Sequence, residues 1–255
     1  MNPHRFPRIT LFWLTGLLAG VASGAQAQGP GAAACSARSS ATVPTVVELY
    51  TSEGCSSCPP ADRWLSTLKG RPDVLALGFH VSYWDRLGWP DRFASAEATA
   101  RQHTLAGAAG RAQVYTPQVL VDGDDWRGWP RLPRTASVTP GATPGPPALS
   151  LTREGERVVV EVAPLHGGPA QLAGYWAVLE DGHQSAVQRG ENAGETLRHD
   201  HVVRLYRPVP AWPAAQGLRA QLPVARGDAA FPRRIVFVVT GSPAPKPLQA
   251  LALAC

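Results

Sequence analysis

The sequence predicts an α/β domain over residues 45–129, followed by a small antiparallel, sandwich-like β domain over residues 148–255. Two nearly continuous apolar segments, 46–50 and 73–82, flank a helical segment. A strand, a helix and a second strand within about forty residues are typical of a parallel βαβ unit. From residue 148 onward, short strand-like segments are separated by Gly and Asp turns, which is typical of an antiparallel sheet or sandwich.

The first 27 residues predict a secretory signal peptide. Basic residues precede an apolar run at 9–21, and Ala25-Gln26-Ala27 fits a cleavage site. The apolar run is too short to span a membrane comfortably, and no later apolar segment reaches spanning length. We therefore expect a mature chain without a membrane span. A lipoprotein anchored at Cys35 is an alternative that the preceding alanines fit poorly.

The composition is that of a loop-rich globular protein that is exported. Among its 255 residues are 25 Gly and 25 Pro, and 17% are charged. Without the signal peptide, 22 basic side chains face 19 acidic ones, a net charge of +3 with no basic stripe, so we expect no nucleic-acid partner. Residues 28–44 predict a disordered leader and residues 130–147, with six prolines, a linker. The expected location is periplasmic or secreted.

Cys55 and Cys58 stand three residues apart at the start of the first predicted helix. Such a pair can close a small disulfide, and the free N–H groups at a helix N-terminus lower the pKa of a thiol. Because the thiolate is the nucleophile of disulfide exchange, the motif favours redox chemistry. A zinc site would need a second ligand pair, and a purely structural disulfide is the other alternative.

The remaining cysteines, Cys35 and Cys255, are single and distant in sequence. Export places them in an oxidising compartment, where free thiols are disfavoured. We therefore predict a structural disulfide that ties the start of the mature chain to its last residue. Two unpaired thiols at frayed ends are the alternative.

The segment 80–89 is aromatic and polar and follows the second strand of the βαβ unit. Function gathers beyond the carboxyl ends of parallel strands, so Tyr83 and Trp84 are candidates for the wall of a groove beside the cysteines. Aromatic side chains that cap the core are the alternative. His80 is a candidate catalytic group, or a hydrogen-bonded core histidine.

Residues 95–109 predict a helix capped by Ser95, and residues 118–121 predict a strand that ends at an Asp122-Gly123 turn. A proline at the start of a central strand is unusual. It fits if the Thr116–Pro117 peptide bond is cis and turns the chain before the strand.

These motifs together resemble the thioredoxin fold. The segments ELYTSEGCSSCPPAD, FHVSYWD, YTPQ and RGENAGETL further resemble the secreted thioredoxin-like proteins of domain-of-unknown-function family 1223, over residues 45–250. The resemblance implies an α/β thioredoxin-like domain. It also implies that Cys55 is an exposed nucleophile, that Cys58 resolves the mixed disulfide and that Thr116 and Pro117 form a substrate-side loop. Glu48 lies near the position of a buried acid in thioredoxins, with an offset that is one residue longer, and a solvent-facing glutamate is the alternative.

In the second half, six segments predict strands: 148–152, 157–163, 174–180, 196–206, 218–224 and 234–240. His199 and His201 are expected to share one face of a strand, with His183 elsewhere, and we predict no metal site there. Residues 191–195 predict a turn, and the sequence does not show whether it reaches the cysteines.

Three functions compete. The first is an exported thiol–disulfide oxidoreductase acting on protein or small-molecule thiols and disulfides, without a bound cofactor because Cys55 and Cys58 carry the electrons. The second is a copper carrier that uses Cys55, Cys58 and a histidine such as His80. The third is a non-enzymatic binding module in which the cysteine pair is a structural disulfide.

Overall fold

The computed structural model describes Met1 and residues 35–129, 131–132 and 145–255. These residues contain two α-helices, α1 Pro59–Ser66 and α2 Ala96–Ala108, and fourteen strands. The strands are β1 Ser36–Arg38, β2 Thr45–Thr51, β3 Val74–His80, β4 Gln118–Val121, β5 Asp124–Asp125, β6 Leu149–Glu154, β7 Arg157–Val162, β8 Gln171–Glu180, β9 His183–Ala186, β10 Thr196–His199, β11 Val202–Pro213, β12 Leu218–Pro223, β13 Arg233–Ser242 and β14 Pro247–Ala254. The predicted signal peptide after Met1 and most of the predicted linker lie outside the described residues.

Eight strands form one mixed sheet in the order β14-β13-β8-β11-β3-β2-β4-β5. The predicted βαβ unit is confirmed, since β2 and β3 run parallel over their whole lengths on either side of α1 in the chain. β11 also pairs with β3 in the parallel sense. A second sheet has the antiparallel order β1-β6-β7-β12, and β9 and β10 form a separate two-stranded sheet.

The predicted fold class is wrong. The described chain is mostly β, with two α-helices among fourteen strands, rather than an α/β thioredoxin-like domain with a small β domain behind it. The physical reason is the pairing of β11 with β3, which lets β8, β13 and β14 extend the sheet that β2 and β3 begin. The apolar sequence of β3 indicates burial on both faces but does not show which strand lies at its edge.

Side chains of β2 alternate between two cores because successive residues of a strand point to opposite faces. Val46 and Tyr50 pack in the core beneath α2, whereas Val47 and Leu49 pack in the core beneath α1. All seven residues of β2 are buried. The strand that precedes the cysteines is therefore covered on both faces.

A sandwich is present, but one of its layers belongs to the large sheet. Apolar side chains of β6 and β7, including Leu151 and Val160, face Trp176 of β8 and Phe237 of β13 in a third core. The six segments predicted as strands in this half all contain strands, and the segment 196–206 is divided into β10 and β11. The four-stranded sheet and α1 thus cover the same face of the eight-stranded sheet at different places, and α2 covers the opposite face.

Both helices begin as their sequences predict. The side chain of Ser95 accepts a hydrogen bond from the N–H of Ala98 at the start of α2. Pro59 and Pro60 take the first two positions of α1. The N–H groups at these positions have no acceptor within a helix, so a proline there removes no helical hydrogen bond. Cys58 is the N-cap residue of α1, so the second cysteine stands at the positive end of the helix.

The two termini of the described segment are joined. Cys35 and Cys255 form the predicted disulfide, with their Cα atoms 6.0 Å apart. Next to it, β1 pairs with β6, although the sequence had placed residues 36–38 in the disordered leader. The last strand and the first are therefore tied to the same sandwich.

Replacing both Cys35 and Cys255 by serine removes a cross-link with a sequence separation of 220. Because such a disulfide restricts the unfolded chain, we expect the free energy of unfolding to fall by about 2–5 kcal/mol. Denaturant unfolding without reductant measures the change. The control is the double serine variant of Cys55 and Cys58, whose separation of 3 predicts a smaller loss. An equal loss in both variants would contradict the account.

Candidate functional site

The cysteine pair lies in the loop that joins β2 to α1. Cys55 and Cys58 form a disulfide with their Cα atoms 5.4 Å apart. The backbone turns tightly here, because the N–H of Cys55 donates to the carbonyl of Ser52 and that of Cys58 to the carbonyl of Cys55, at 3.2 and 3.1 Å. Both cysteines are 0% exposed. The expectation that Cys55 is exposed is therefore wrong for this conformation.

The turn between β9 and β10 reaches the cysteine loop. The side-chain amide of Asn192 donates to the backbone carbonyls of Glu53 and Cys55, at 2.8 and 3.0 Å. Beside it, the carboxylate of Glu191 accepts hydrogen bonds from the N–H and the hydroxyl of Ser56, at 2.9 and 2.8 Å. These bonds lower the pKa of Glu191. The cysteine loop is therefore hydrogen-bonded to a segment that lies 135 residues further along the chain.

Trp84 and the loop at Pro117 form another part of the surroundings. The Thr116–Pro117 peptide bond is cis, as the sequence predicts. The indole N–H of Trp84 donates to the hydroxyl of Thr116 at 2.8 Å, and a Cβ placed on Gly54 would lie 3.1 Å from the Cβ of Trp84. Trp84 therefore packs beside the residue that precedes Cys55 and links it to the loop at Pro117.

Tyr83 occupies a different environment from Trp84. It is half-buried, and its hydroxyl donates to the side-chain amide of Gln102 in α2, at 3.3 Å. Gln102 in turn donates to the backbone carbonyl of Tyr115 at 2.9 Å. Tyr83 is therefore linked through Gln102 of α2 to Tyr115, which precedes the loop at Pro117.

Asp62 is a buried carboxyl group one helical turn after Cys58, and the sequence analysis did not single it out. Its N–H donates to the carbonyl of Cys58 at 3.1 Å, and its carboxylate accepts from the hydroxyl of Thr51 at 3.1 Å. Residues four apart lie on the same face of a helix. Burial raises the pKa of Asp62, although the charges of His199 and His80 oppose the shift. The carboxyl group is therefore a candidate to exchange a proton with the resolving cysteine.

A cleft of about 100 Å³ lies between α1 and β10. Asp62, Arg63 and His199 are among its lining residues. Asp62 therefore lines a small cleft beside α1, although the residue is only 7% exposed.

His80 is paired with Asp91 beneath the cysteine loop. The distance between its Nδ1 and the carboxylate of Asp91 is 2.6 Å, and both side chains are buried. Burial alone would lower the pKa of His80, but the charge and hydrogen bond of Asp91 raise it. Burial opposes ionisation of Asp91 as well, yet His80 and the N–H groups of Glu53 and Phe93 lower its pKa to about 2. Each partner therefore stabilises the charged form of the other.

Glu53 extends this polar cluster toward β10. Its carboxylate accepts from the indole N–H of Trp89 at 2.7 Å and lies 3.3 Å from Nε2 of His199. Burial would raise the pKa of Glu53, but the adjacent imidazole of His199 and the hydrogen bond from Trp89 help to lower it. The ring of His199 in turn packs edge-on against His80, with centroids 4.9 Å apart. Three carboxyl groups and two imidazoles thus lie around the end of β2.

Glu48 is not brought to the cysteines. Its side chain points toward α2, on the face of β2 opposite to α1, and Arg101 pairs with it at 2.5 Å. The hydroxyls of Tyr50 and Tyr175 donate to the same carboxylate at 2.8 and 2.7 Å. Burial would raise the pKa of Glu48, but Arg101 and these hydrogen bonds keep it below the usual value. The role implied by the resemblance has no geometric support.

The three histidines of the second half that the sequence analysis considered, His183, His199 and His201, are dispersed. His199 ends β10 and faces the cysteine loop, whereas His201 lies in a turn with a φ of 58° and contacts Arg234 at 2.9 Å. The expectation that they share one strand face is wrong, because the chain turns between them. His183 pairs with Glu180 instead. Across the described ranges, no group of three or more His, Cys, Asp or Glu side chains could hold a metal ion.

The model of a protein family matches residues 46–240, which is more than half of the chain. The chain belongs to the DUF1223 family. That family is described as proteins of unknown function. No curated protein matches the chain. Within the part of this DUF1223 protein that the structure describes, no helix is both long and apolar enough to cross a bilayer.

Two solved structures are similar to this DUF1223 protein. Protein AGR_C_4864 from Agrobacterium tumefaciens is 25% identical, with a TM-score of 0.60, and the match covers 83% of this chain and 94% of that one. HBP35 of Porphyromonas gingivalis is 14% identical, with a TM-score of 0.53 and coverage of 83% and 74%. The second likeness concerns the fold alone.

Replacing Glu48 with glutamine leaves the charge of Arg101 buried without its partner, so we expect the free energy of unfolding to fall by roughly 3–5 kcal/mol. Since the pKa of Glu48 is lowered in the folded state, its stabilising effect is present above the ordinary glutamate pKa of 4.5 and is lost as the pH falls through the folded pKa. The difference between wild type and variant should therefore narrow in acid.

Denaturant unfolding at several pH values measures this difference. The reduction potential of Cys55–Cys58 is the control, and it should not change because Glu48 lies on the other face of β2. A shifted potential at unchanged stability would restore the role that the resemblance implied.

Proposed function

We propose that this protein is a thiol–disulfide oxidoreductase that uses Cys55 and Cys58. The observation that carries the proposal is a disulfide at the N-terminus of α1 with the buried carboxyl group of Asp62 one turn further along. A helix N-terminus stabilises a thiolate, and a nearby carboxylate can accept a thiol proton. The partners would be protein or small-molecule thiols and disulfides.

The two cysteines and the partner disulfide carry the electrons, and Asp62 moves one proton. The Cys55 thiolate attacks one partner sulfur, so the partner S–S bond breaks and its other sulfur leaves as a thiolate that takes a proton. Asp62 then accepts the proton of Cys58, whose thiolate attacks the sulfur of Cys55. The Cys55–Cys58 bond forms, the second partner sulfur leaves, and two electrons have passed to the partner. The same steps in reverse oxidise a dithiol.

Burial of the pair favours a second candidate function, a binding module with a structural disulfide. Both cysteines are 0% exposed, and a disulfide without access cannot exchange. A reduction potential below about −300 mV is typical of structural disulfides, and a higher one of catalytic pairs. That single measurement separates the two functions.

Export is part of the proposal. Two disulfides among the described residues, and no cysteine there left free, are compatible with an oxidising compartment. Periplasmic or secreted protein would then meet partner disulfides that persist in the same compartment.

Replacing Cys58 with serine should trap mixed disulfides, because Cys55 can attack a partner but no thiol resolves the product. Replacing Cys55 with serine should trap none. Non-reducing electrophoresis of the purified variants after incubation with a disulfide-bonded model protein measures the trapped species. Equal trapping by both variants, or trapping by neither, would contradict the assigned roles.

Replacing Asp62 with asparagine should slow the resolving step at neutral pH and let the mixed disulfide with Cys55 accumulate. The defect should vanish above about pH 8.5, where Cys58 loses its proton without help. The pH profile of single-turnover exchange measures this, and a merely structural role would not give alkaline rescue.

Asp122 supplies the matched control for this change. Its pKa is also raised by burial, but its carboxylate accepts from the N–H of Val46, at the end of β2 remote from the cysteines. The variant Asp122→Asn should keep the wild-type pH profile. If it matched Asp62→Asn, the proton-accepting role would be wrong.

A further inference from the structure

The tip of the β9–β10 hairpin, residues 190–194, lies on the cysteine loop, and we call it the cover. Asn192 is 6% exposed although it stands in a turn, because its amide is inserted between the carbonyls of Glu53 and Cys55. Glu191 holds the N–H and hydroxyl of Ser56 from the outside. The side chains of two consecutive residues of the cover thus bind three residues of the cysteine loop.

The cover is attached to the rest of the fold in a way that permits it to lift. β9 and β10 pair only with each other and share no ladder with either larger sheet. The tip closes on itself, since the N–H of Gly194 donates to the carbonyl of Val187 and the N–H of Val187 to the carbonyl of Glu195, both at 2.9 Å. Gly190 and Gly194 have φ values of 78° and 91°, a region that glycine enters without strain. Lifting the tip would break its contacts with the loop while its own turn is retained.

We propose that the cover is displaced by a polypeptide partner, which takes over its hydrogen bonds to residues 53–56. The inference rests on the proposed disulfide exchange, because a pair that is 0% exposed can react only after part of its surroundings moves. It also names the kind of partner: a chain with amide donors and an acceptor group, rather than a small thiol.

The argument for a polypeptide comes from the groups that the cover satisfies. When it lifts, the carbonyls of Glu53 and Cys55 and the N–H of Ser56 lose their partners beside the disulfide. A polar group left without a partner is costly, so the open form is favoured when the incoming molecule satisfies the same groups. The cover supplies its donor and its acceptor from two side chains, whereas a polypeptide carries both kinds of group along its backbone as well.

Replacing Asn192 with alanine in the mature full-length chain tests the proposal. Wild type whose Cys55–Cys58 disulfide has first been reduced should exchange with a peptide disulfide at least tenfold faster than with hydroxyethyl disulfide. The variant loses both amide hydrogen bonds, so its rate with hydroxyethyl disulfide should rise about tenfold or more, with a smaller gain for the peptide. Rates for hydroxyethyl disulfide within twofold of wild type, or no peptide preference in wild type, would overturn the proposal.

The variant Glu191→Gln keeps the size of the side chain and is the milder test if Asn192→Ala fails to fold. It should raise the rate with hydroxyethyl disulfide by severalfold, since it removes the charge that Ser56 binds. Glu195→Ala is the matched control, because it removes an exposed carboxylate from the same turn. It should behave as wild type, and a rise equal to that of Glu191→Gln would overturn the proposal.

Alkylation of the reduced proteins by iodoacetamide separates this inference from the function on which it rests. Faster alkylation of Cys55 in Asn192→Ala, with no exchange by any form of the protein, would show that the cover is real and the proposed function is wrong. Equal alkylation in wild type and Asn192→Ala, with exchange intact, would show that the function holds and the cover does not gate it.

Discussion

Alternation of side chains along β2 is the constraint on which the site depends. The strand is buried on both faces, so each of its polar side chains must be satisfied within one core or the other. Glu48 falls on the face of α2 and is satisfied by Arg101, whereas Thr51 falls on the face of α1 and bonds to Asp62. A shift of one residue would exchange these environments. The register of β2 therefore places Glu48 away from α1 and directs Thr51 to Asp62 in that helix.

The second half of the chain contributes residues to the site because its strand β11 joins the large sheet beside β3. Pairing of β11 with β3 through Val202 and Gly78 fixes where the chain leaves the β9–β10 hairpin. His199 then lies beside Asp62, and Asn192 reaches the loop at Cys55. Neither contact could form if the second half were an independent domain on a mobile linker. The arrangement makes access to the disulfide a property of the whole fold.

Local patterns in the sequence predicted local structure well. Apolar runs gave β2 and β3, Ser95 gave the start of α2, and the position of Pro117 gave the cis bond, because each depends on neighbours within a few residues. The pairing of β11 with β3 depends on residues more than a hundred positions apart. Gly78 in an otherwise apolar strand was a usable signal, since its N–H meets the carbonyl of His201 at 2.8 Å.

The site shows the same limit. Asp62 could have been found from its spacing of four residues after Cys58, which places both on one helical face. Asn192 and Glu53 offered no such spacing, because the hairpin that presents Asn192 is distant in sequence. The expectation for Glu48 failed for a different reason. Its place in the chain matched the resemblance, but its parity along β2 assigns it to the other face, beside Tyr50 and Arg101.

Burial and ionisation of the cysteine pair are coupled through the cover. In the closed form both cysteines are 0% exposed, and burial raises the pKa of a thiol. The N-terminus of α1 acts in the opposite sense, because its partial positive charge favours a thiolate. The closed form therefore favours the disulfide or two neutral thiols. In the mechanism we propose, lifting the cover readmits water, which lowers the free energy of forming the thiolate. The same movement exposes the thiolate to its partner.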